Sequence, residues 1–336
     1  MNPPALASHS HRPRSALLPL GLLFTALAAL PFVATALGQP FWISFFTRIL
    51  IYAIAASALN LALGYGGLVS FGHALFMGLG SYAVALPAFH GIASGWAHLA
   101  LCIGASALVA AVVGAISLRT SGMAFIMITL AFAQMGYFLL VSLKTYGGDD
   151  GLPVAATSRF GGIDLGSALP LYGTALVVLA LVTWWMARLR AAPFGMALRG
   201  ARQNARRINA IGLQARRLQL VAFVISGAIC GLSGLLLANL NAFASPSSLA
   251  WTVSGELIVM VVLGGIGTVA GPVIGALLFL GLEEVLKGLT EHWMVIFGPL
   301  IVLMALVGRR GVVGLIELWP KAQRVPSAAA APEGSL

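Results

Sequence analysis

Charge is scarce in this chain. Only 8% of its 336 residues are Asp, Glu, Lys or Arg, and the nine acids are outnumbered by nineteen basic residues. Soluble globular domains carry about a quarter charged residues, so a soluble enzyme or binding module is excluded. Cysteine is nearly absent. Cys102 and Cys230 both fall inside apolar runs, which argues against a disulfide framework or a cysteine-ligated metal and makes them core residues. Catalytic motifs are missing too: there is no GxxxxGK[ST] phosphate loop, no HExxH, no CxxC and no GxSxG elbow. The chain therefore does not bind ATP by a phosphate loop, and nothing in it points to covalent chemistry.

Apolar residues are abundant, at 60% of the chain, with a mean hydropathy of +0.98. Long uncharged runs recur at lengths that span a bilayer, about 20 residues each, so the expected fold is all-α, a polytopic membrane helical bundle of about 8–10 spans. The forty glycines fit helices that pack closely or break inside the bilayer. The net charge of +10 is not a nucleic-acid footprint, because the arginines sit beside apolar runs and no soluble domain carries them.

The chain is organised around residues 193–217, PFGMALRGARQNARRINAIGLQARR, which hold Arg199, Arg202, Arg206, Arg207, Arg216 and Arg217 between two apolar runs. Basic residues near span ends accumulate on the cytoplasmic side. Ala197, Leu198, Ala201, Ala205 and Ile208 recur at spacings of three and four, which predicts one short amphipathic helix lying on the cytoplasmic surface. The plainer reading is that the arginines are only a topological signal.

Expected organisation follows in chain order. Residues 1–15 read as a disordered cytoplasmic tail, 16–316 as the membrane domain with its cytoplasmic loop at 190–217, and 317–336 as a second cytoplasmic tail. The first apolar run, 16–37, ends in Ala34-Thr35-Ala36, which resembles a signal-peptidase site, but its length favours a retained helix. The second run, 41–64, carries Arg48 near its outer end, where a long side chain reaches the interface. Residues 68–89 hold Ser70, Gly72, His73, Gly78 and Gly80, too many glycines for an ordinary helix, so a break or tight packing is expected. His73 reads as a proton or solute ligand or, more plainly, as a histidine bonded to its neighbours. Two ordinary spans follow at 96–118 and 122–143, with Gln134 as interhelical glue or path lining. Residues 144–167 form the longest polar loop opposite the arginines, with Ser158 expected to face solvent. Its GGDDG lacks the ligand alternation and terminal Glu of an EF-hand and reads as a turn. After spans at 169–189 and 218–240, residues 256–286 contain GGIG and Gly271-Pro272, which predicts two short helices meeting at a bend. That bend is similar to the earlier glycine-rich stretch. A last span at 292–307 stops at Arg309 and Arg310.

Within the spans Glu256 is the clearest ionisable residue, followed by Glu283 and Glu284. A proton-driven secondary carrier, coupled through Glu256 and His73, would be expected to hold more. An apolar, glycine-lined path powered by another subunit is the better fit, ahead of that carrier or a scaffold without a path.

Several separated motifs then resemble one family in order: LNLALGYGG at 59–67, SFGHA at 70–74, GGDDGL at 147–152, PFG at 193–195, AIG at 210–212, Glu256, VVLGGIGT at 261–268, Gly271-Pro272 and Arg310-Gly311. Together they resemble the LivM-type permeases, subunits of ABC importers for branched-chain amino acids, over nearly all of residues 48–315. The resemblance implies a LivH-type permease partner, two ABC ATPase subunits that bind the ATP and Mg, a periplasmic solute-binding protein, and an inner-membrane location with both termini cytoplasmic. No cofactor is expected on this chain. It also implies that 197–212 is the coupling segment, with Leu198, Arg199, Ala201, Arg202, Ala205, Ile208 and Gly212 meeting an ATPase. Asn60, Ser70, His73, Gln134, Glu256, Gly265 and Gly267 are the candidate path residues. Gln203-Asn204-Ala205, Asn209 and Gln134 stand where relatives often carry acids. Permeases for urea, short amides or other amino acids share much of this pattern.

Overall fold

The computed structural model of the chain describes residues 14–36 and 38–307, with side chains at 21–36 and 38–302. Most of the N-terminal tail, Arg309, Arg310 and residues 317–336 lie outside the described residues. The chain is almost wholly helical, as its apolar runs require. In order the helices are α1 (Arg14–Ala36), α2 (Pro40–Asn60), α3 (His73–Phe89), α4 (Gly95–Ser117), α5 (Met123–Ser142), α6 (Ala168–Ala191), α7 (Pro193–Gln203), α8 (Ala205–Ala210), α9 (Ala215–Asn241), α10 (Trp251–Gly264), α11 (Gly271–Leu289) and α12 (Trp293–Val307).

Five of them are long and apolar enough to cross a membrane on length and composition: α2 with its extension to Tyr65, α4, α5, α6 and α9. Shorter apolar stretches lie in α1, α3, α10 and α12. With α11, which carries Glu283, Glu284 and Lys287 near its end, ten helices build the bundle among the described residues.

At its centre are α2 and α9. α2 starts with Pro40 in its first turn, where the missing N–H costs nothing, and its residues from Ile49 to Asn60 are almost all buried. α9 presents Gly227, Gly231 and Gly234 to its neighbours. A Cβ on Gly231 would collide with the Ser106 side chain of α4, and one on Gly234 would overlap the Met77 carbonyl of α3. Reciprocally, a Cβ on Gly80 of α3 would overlap the Gly231 carbonyl. Without a hydrophobic force between helices in lipid, close backbone packing of this kind holds them together.

Two breaks interrupt the bundle. α2 widens into a π-helical turn at Leu61–Tyr65, Gly67 turns the chain at φ +70°, and residues 68–72 run without helix until α3 begins at His73. The bend expected within 256–286 is the second: α10 and α11 form an antiparallel hairpin joined by residues 265–270, with Gly265 and Gly267 at φ +123° and +77°. A Cβ on Gly275 of α11 would overlap the Met260 carbonyl of α10, so the two helices touch backbone to backbone.

Opposite the arginine-rich segment, the 144–167 loop folds back on the bundle. Leu152–Pro153 pairs antiparallel with Phe243–Ala244, and Arg159–Phe160 with Ile163–Asp164. Ser158 is not the exposed residue expected. It is wholly buried, because its hydroxyl lies 2.8 Å from His98 Nδ1 while Asn239 accepts its N–H at 2.8 Å and donates to its hydroxyl at 3.1 Å. A polar residue in a loop becomes core when neighbouring helix ends supply its partners.

Candidate coupling and translocation site

The two glycine breaks meet. Asn60, last residue of α2 and fully buried, accepts the Gly267 N–H on Oδ1 at 2.8 Å and donates from Nδ2 to the Thr268 carbonyl at 2.8 Å. One amide side chain thus satisfies both a donor and an acceptor that the irregular 265–270 loop leaves free. Gly64 has no side chain because Asn60 Oδ1 and the Gly267 backbone occupy that space. Unwound backbone at membrane depth is tolerated only where protein satisfies it in this way.

The start of α3 is closed from other helices. Ser70 Oγ accepts the Gly72 N–H at 3.1 Å, Thr129 of α5 accepts the Phe71 N–H at 3.3 Å, and Ser254 of α10 accepts the Ala74 N–H at 2.9 Å while donating to the Phe71 carbonyl at 2.8 Å. α3 and α10 therefore begin side by side, with the Phe71 and Trp251 rings 6.4 Å apart.

His73 sits deeper. Ser226 spends its proton on the Ala58 carbonyl, so His73 Nε2 must donate to Ser226 Oγ across 2.8 Å. Phe76 and Phe223 pack edge-on against the imidazole. The ring is fully buried; Nε2 is bonded as the plainer reading of His73 expects, while Nδ1 has no hydrogen-bond partner among the described residues. Asn60 and Ser70 are likewise buried and hold backbone. Gln134 on α5 and Glu256 on α10 are half-buried, and Gln134 finds no hydrogen-bond partner among the described residues. Gly265 is buried and Gly267 half-exposed, both at the backbone break.

The arginine-rich segment is two helices rather than one. Asn204 leaves helical geometry at φ −154° and caps α8 by accepting the Arg207 N–H at 3.1 Å. Asn favours such caps because its short amide competes with the helix backbone. The expected apolar face therefore divides. Leu198 and Ala201 of α7 are buried inside this chain, Leu198 with Leu61, Tyr65, Met186 and Ala222, so they are not free to anchor a partner. Ile208 folds back against Gly200. Ala205 remains exposed, and Gly212 forms the turn after α8 at φ +86°. Arg199 donates to the Arg190 carbonyl at 2.9 Å and Arg202 to the Gly64 carbonyl, favourable positions for cations at helix ends.

The exposed apolar residues here are Met196, Ile211 and Leu213, which the periodicity of a single helix conceals; placing the break at Asn204 exposes them. Between α7, the π-turn and the 265–270 loop lies an open hollow of about 340 Å³ that touches Arg199, Arg202, Gly64 and Gly267.

Outside the spans, the Asp164 carboxyl is held below the usual carboxylate range, first by the Gly166 N–H, then by the Thr157 hydroxyl, with a smaller pull from Arg159.

An all-α bundle of apolar helices, broken at two glycine clusters that clasp each other at one end, is an integral-membrane permease. The family described as branched-chain amino acid transport system / permease component matches residues 41–305, and the chain belongs to it. It is 29% identical over 294 residues to the high-affinity branched-chain amino acid transport system permease protein LivM of Escherichia coli (strain K12), covering 79% of this chain and 68% of that one. The LivM protein of Salmonella typhimurium is 29% identical over 290 residues, with the same coverage. The LivH permease of Escherichia coli (strain K12) is 27% identical over 290 residues, 80% of this chain and 92% of that one. No solved structure gives a match.

Proposed function

We propose that the chain is the LivM-type permease subunit of an ABC importer that carries branched-chain amino acids across the inner membrane, with ATP and Mg bound and hydrolysed by two separate ATPase subunits. The observation that carries this reading is the place of α7 and α8: a basic two-helix element inserted between α6 and α9, packed directly beneath the Asn60–Gly267 clasp through Arg202. A push on α8 is delivered to the two broken helices rather than lost in a loop. Among the described residues six helices precede this element and four follow it, which returns the start of α1 and the end of α12 to its side. That side is cytoplasmic by the arginine excess. The 144–167 loop then faces the periplasm and receives the loaded binding protein, while a LivH-type subunit completes the path.

Ala205, Met196, Ile211 and Leu213 supply the apolar contacts of the docked ATPase, with Arg206 and Arg207 at the rim. The test is uptake by proteoliposomes holding the co-purified importer. Leucine uptake that needs internal ATP and persists after the ion gradients are collapsed supports the reading. Uptake driven by a proton gradient without ATP would overturn it.

A further inference from the structure

We propose that Arg48 and Glu256 form the two poles of a subsite for a zwitterionic solute on the half-open face of α10, Arg48 meeting the carboxylate and Glu256 the ammonium. This deepens the amino-acid reading above and rests on it.

Heights along the bundle bring these groups together. The Asn60 clasp sets a common level for α2, α10 and α11, since it joins the end of α2 to the loop between the other two. Arg48 lies twelve residues back from Asn60 along a continuous helix, Glu283 twelve beyond Gly271 and Glu256 eight back from Gly264. At 1.5 Å per residue those are rises of about 18, 18 and 12 Å, so all three lie within about 6 Å of one another in height on helices that pack against one another. Arg48, Glu283 and Lys287 lie close enough for their charges to act on Glu256, and Arg48 and Glu256 both act on Tyr52.

The pairing within the cluster is uneven. Lys287 binds Glu283 at 2.6 Å and covers the Trp293 ring at 4.8 Å. Arg48 is exposed and its guanidinium stands 5.7 Å from the Tyr52 ring centre. Among the described residues neither Arg48 nor Glu256 takes part in an ion pair. Two opposite charges left without an ion pair on apolar helices are costly and mark a function by default. A zwitterion satisfies both in one step, whereas a neutral amide or urea satisfies neither charge. Beyond Gly255, whose absent side chain leaves the Phe71 ring as its nearest neighbour at 3.8 Å, the Phe71 and Trp251 rings offer an apolar surface to an aliphatic side chain.

Proteoliposomes with the complete importer and internal ATP test this, read as leucine carried per ATP hydrolysed. Arg48→Met and Glu256→Gln should each lower that ratio about tenfold, the scale of one hydrogen bond to a charged group, with unchanged subunit yield. The double variant should show no recovery. Recovery would mean that the two charges only neutralise each other and would overturn the subsite, as would an unchanged ratio in either single variant. If the neutral variants do not assemble, Arg48→Lys and Glu256→Asp decide: a lowered ratio supports the subsite and an unchanged one overturns it. Wild-type importer that carries leucine while the variants match it sinks the subsite alone. Wild type that carries urea or a short amide and no leucine sinks both readings.

Discussion

Asn60 holds Gly267 across 207 residues of sequence, its Oδ1 accepting the glycine N–H at 2.8 Å. The same side chain reaches the next carbonyl but one, so it reads the loop between α10 and α11 as a strand partner would. Asn60→Ala should leave one buried donor and one acceptor unsatisfied and destabilise the bundle by about 2 kcal/mol. Thermal unfolding of the purified complex in detergent checks this, and an unchanged midpoint would remove the clasp from the account.

Gly267 itself sits at φ +77°, and a Cβ there would stand only 3.3 Å from the Gly64 carbonyl oxygen, a tight contact with backbone. A substitution such as Gly267→Leu is therefore disfavoured by backbone strain as well as by crowding against Gly64. Gly267→Asn, which tolerates the left-handed region, should retain more complex yield than Gly267→Leu. Equal yields would mean that backbone conformation is not what matters there.

At the coupling element, Leu198 and Ala205 should separate. Leu198→Ala opens a cavity in the chain's own core and should cost about 2–5 kcal/mol, seen as lost permease yield. Ala205→Glu changes only the exposed start of α8 and should leave the membrane subunits assembled while releasing the ATPase or uncoupling its hydrolysis from uptake. If Ala205→Glu leaves ATPase association and solute-stimulated hydrolysis intact, the element is a topological signal and nothing more.

Surface labelling tests the outer loop. Ser158→Cys should stay unreactive toward an impermeant maleimide because its position is sealed by His98 and Asn239, whereas Ala155→Cys, on the exposed part of the same loop, should label in intact spheroplasts. Labelling of Ala155→Cys only after lysis would reverse the orientation.

Acid should loosen that loop late. Asp164 is depressed chiefly by the Gly166 N–H, so its contribution is present above the ordinary Asp value of about 3.9 and disappears only as pH falls through the lower folded value. Proteolysis of the loop in spheroplasts at pH 5 and pH 7 should be equal for wild type. Asp164→Ala should be cut faster at both.

Much of this architecture is legible in composition alone. Span positions follow from apolar runs, and the two breaks from clustered glycines with a proline. The split of the basic segment was not legible from periodicity, because Leu198, Ala201, Ala205 and Ile208 keep helical spacing across Asn204. A cap residue inside a regular pattern outweighs it when a buried neighbour occupies one half. Nor could sequence decide His73. Its Nε2 donates to Ser226 because that hydroxyl's single proton is spent on Ala58, a relation between α2, α3 and α9 that no local pattern encodes.

Ser254 belongs to α10 yet closes the beginning of α3. α10 is 14 residues long, about 21 Å at the helical rise, and its other end is the loop that Asn60 grips. Any tilt imposed at that loop is therefore felt at the mouth of α3 through a stiff rod with a hydroxyl at its tip. Under the proposed function, a tilt imposed from the α7–α8 side reaches the mouth of α3 with no hinge needed inside α10 itself.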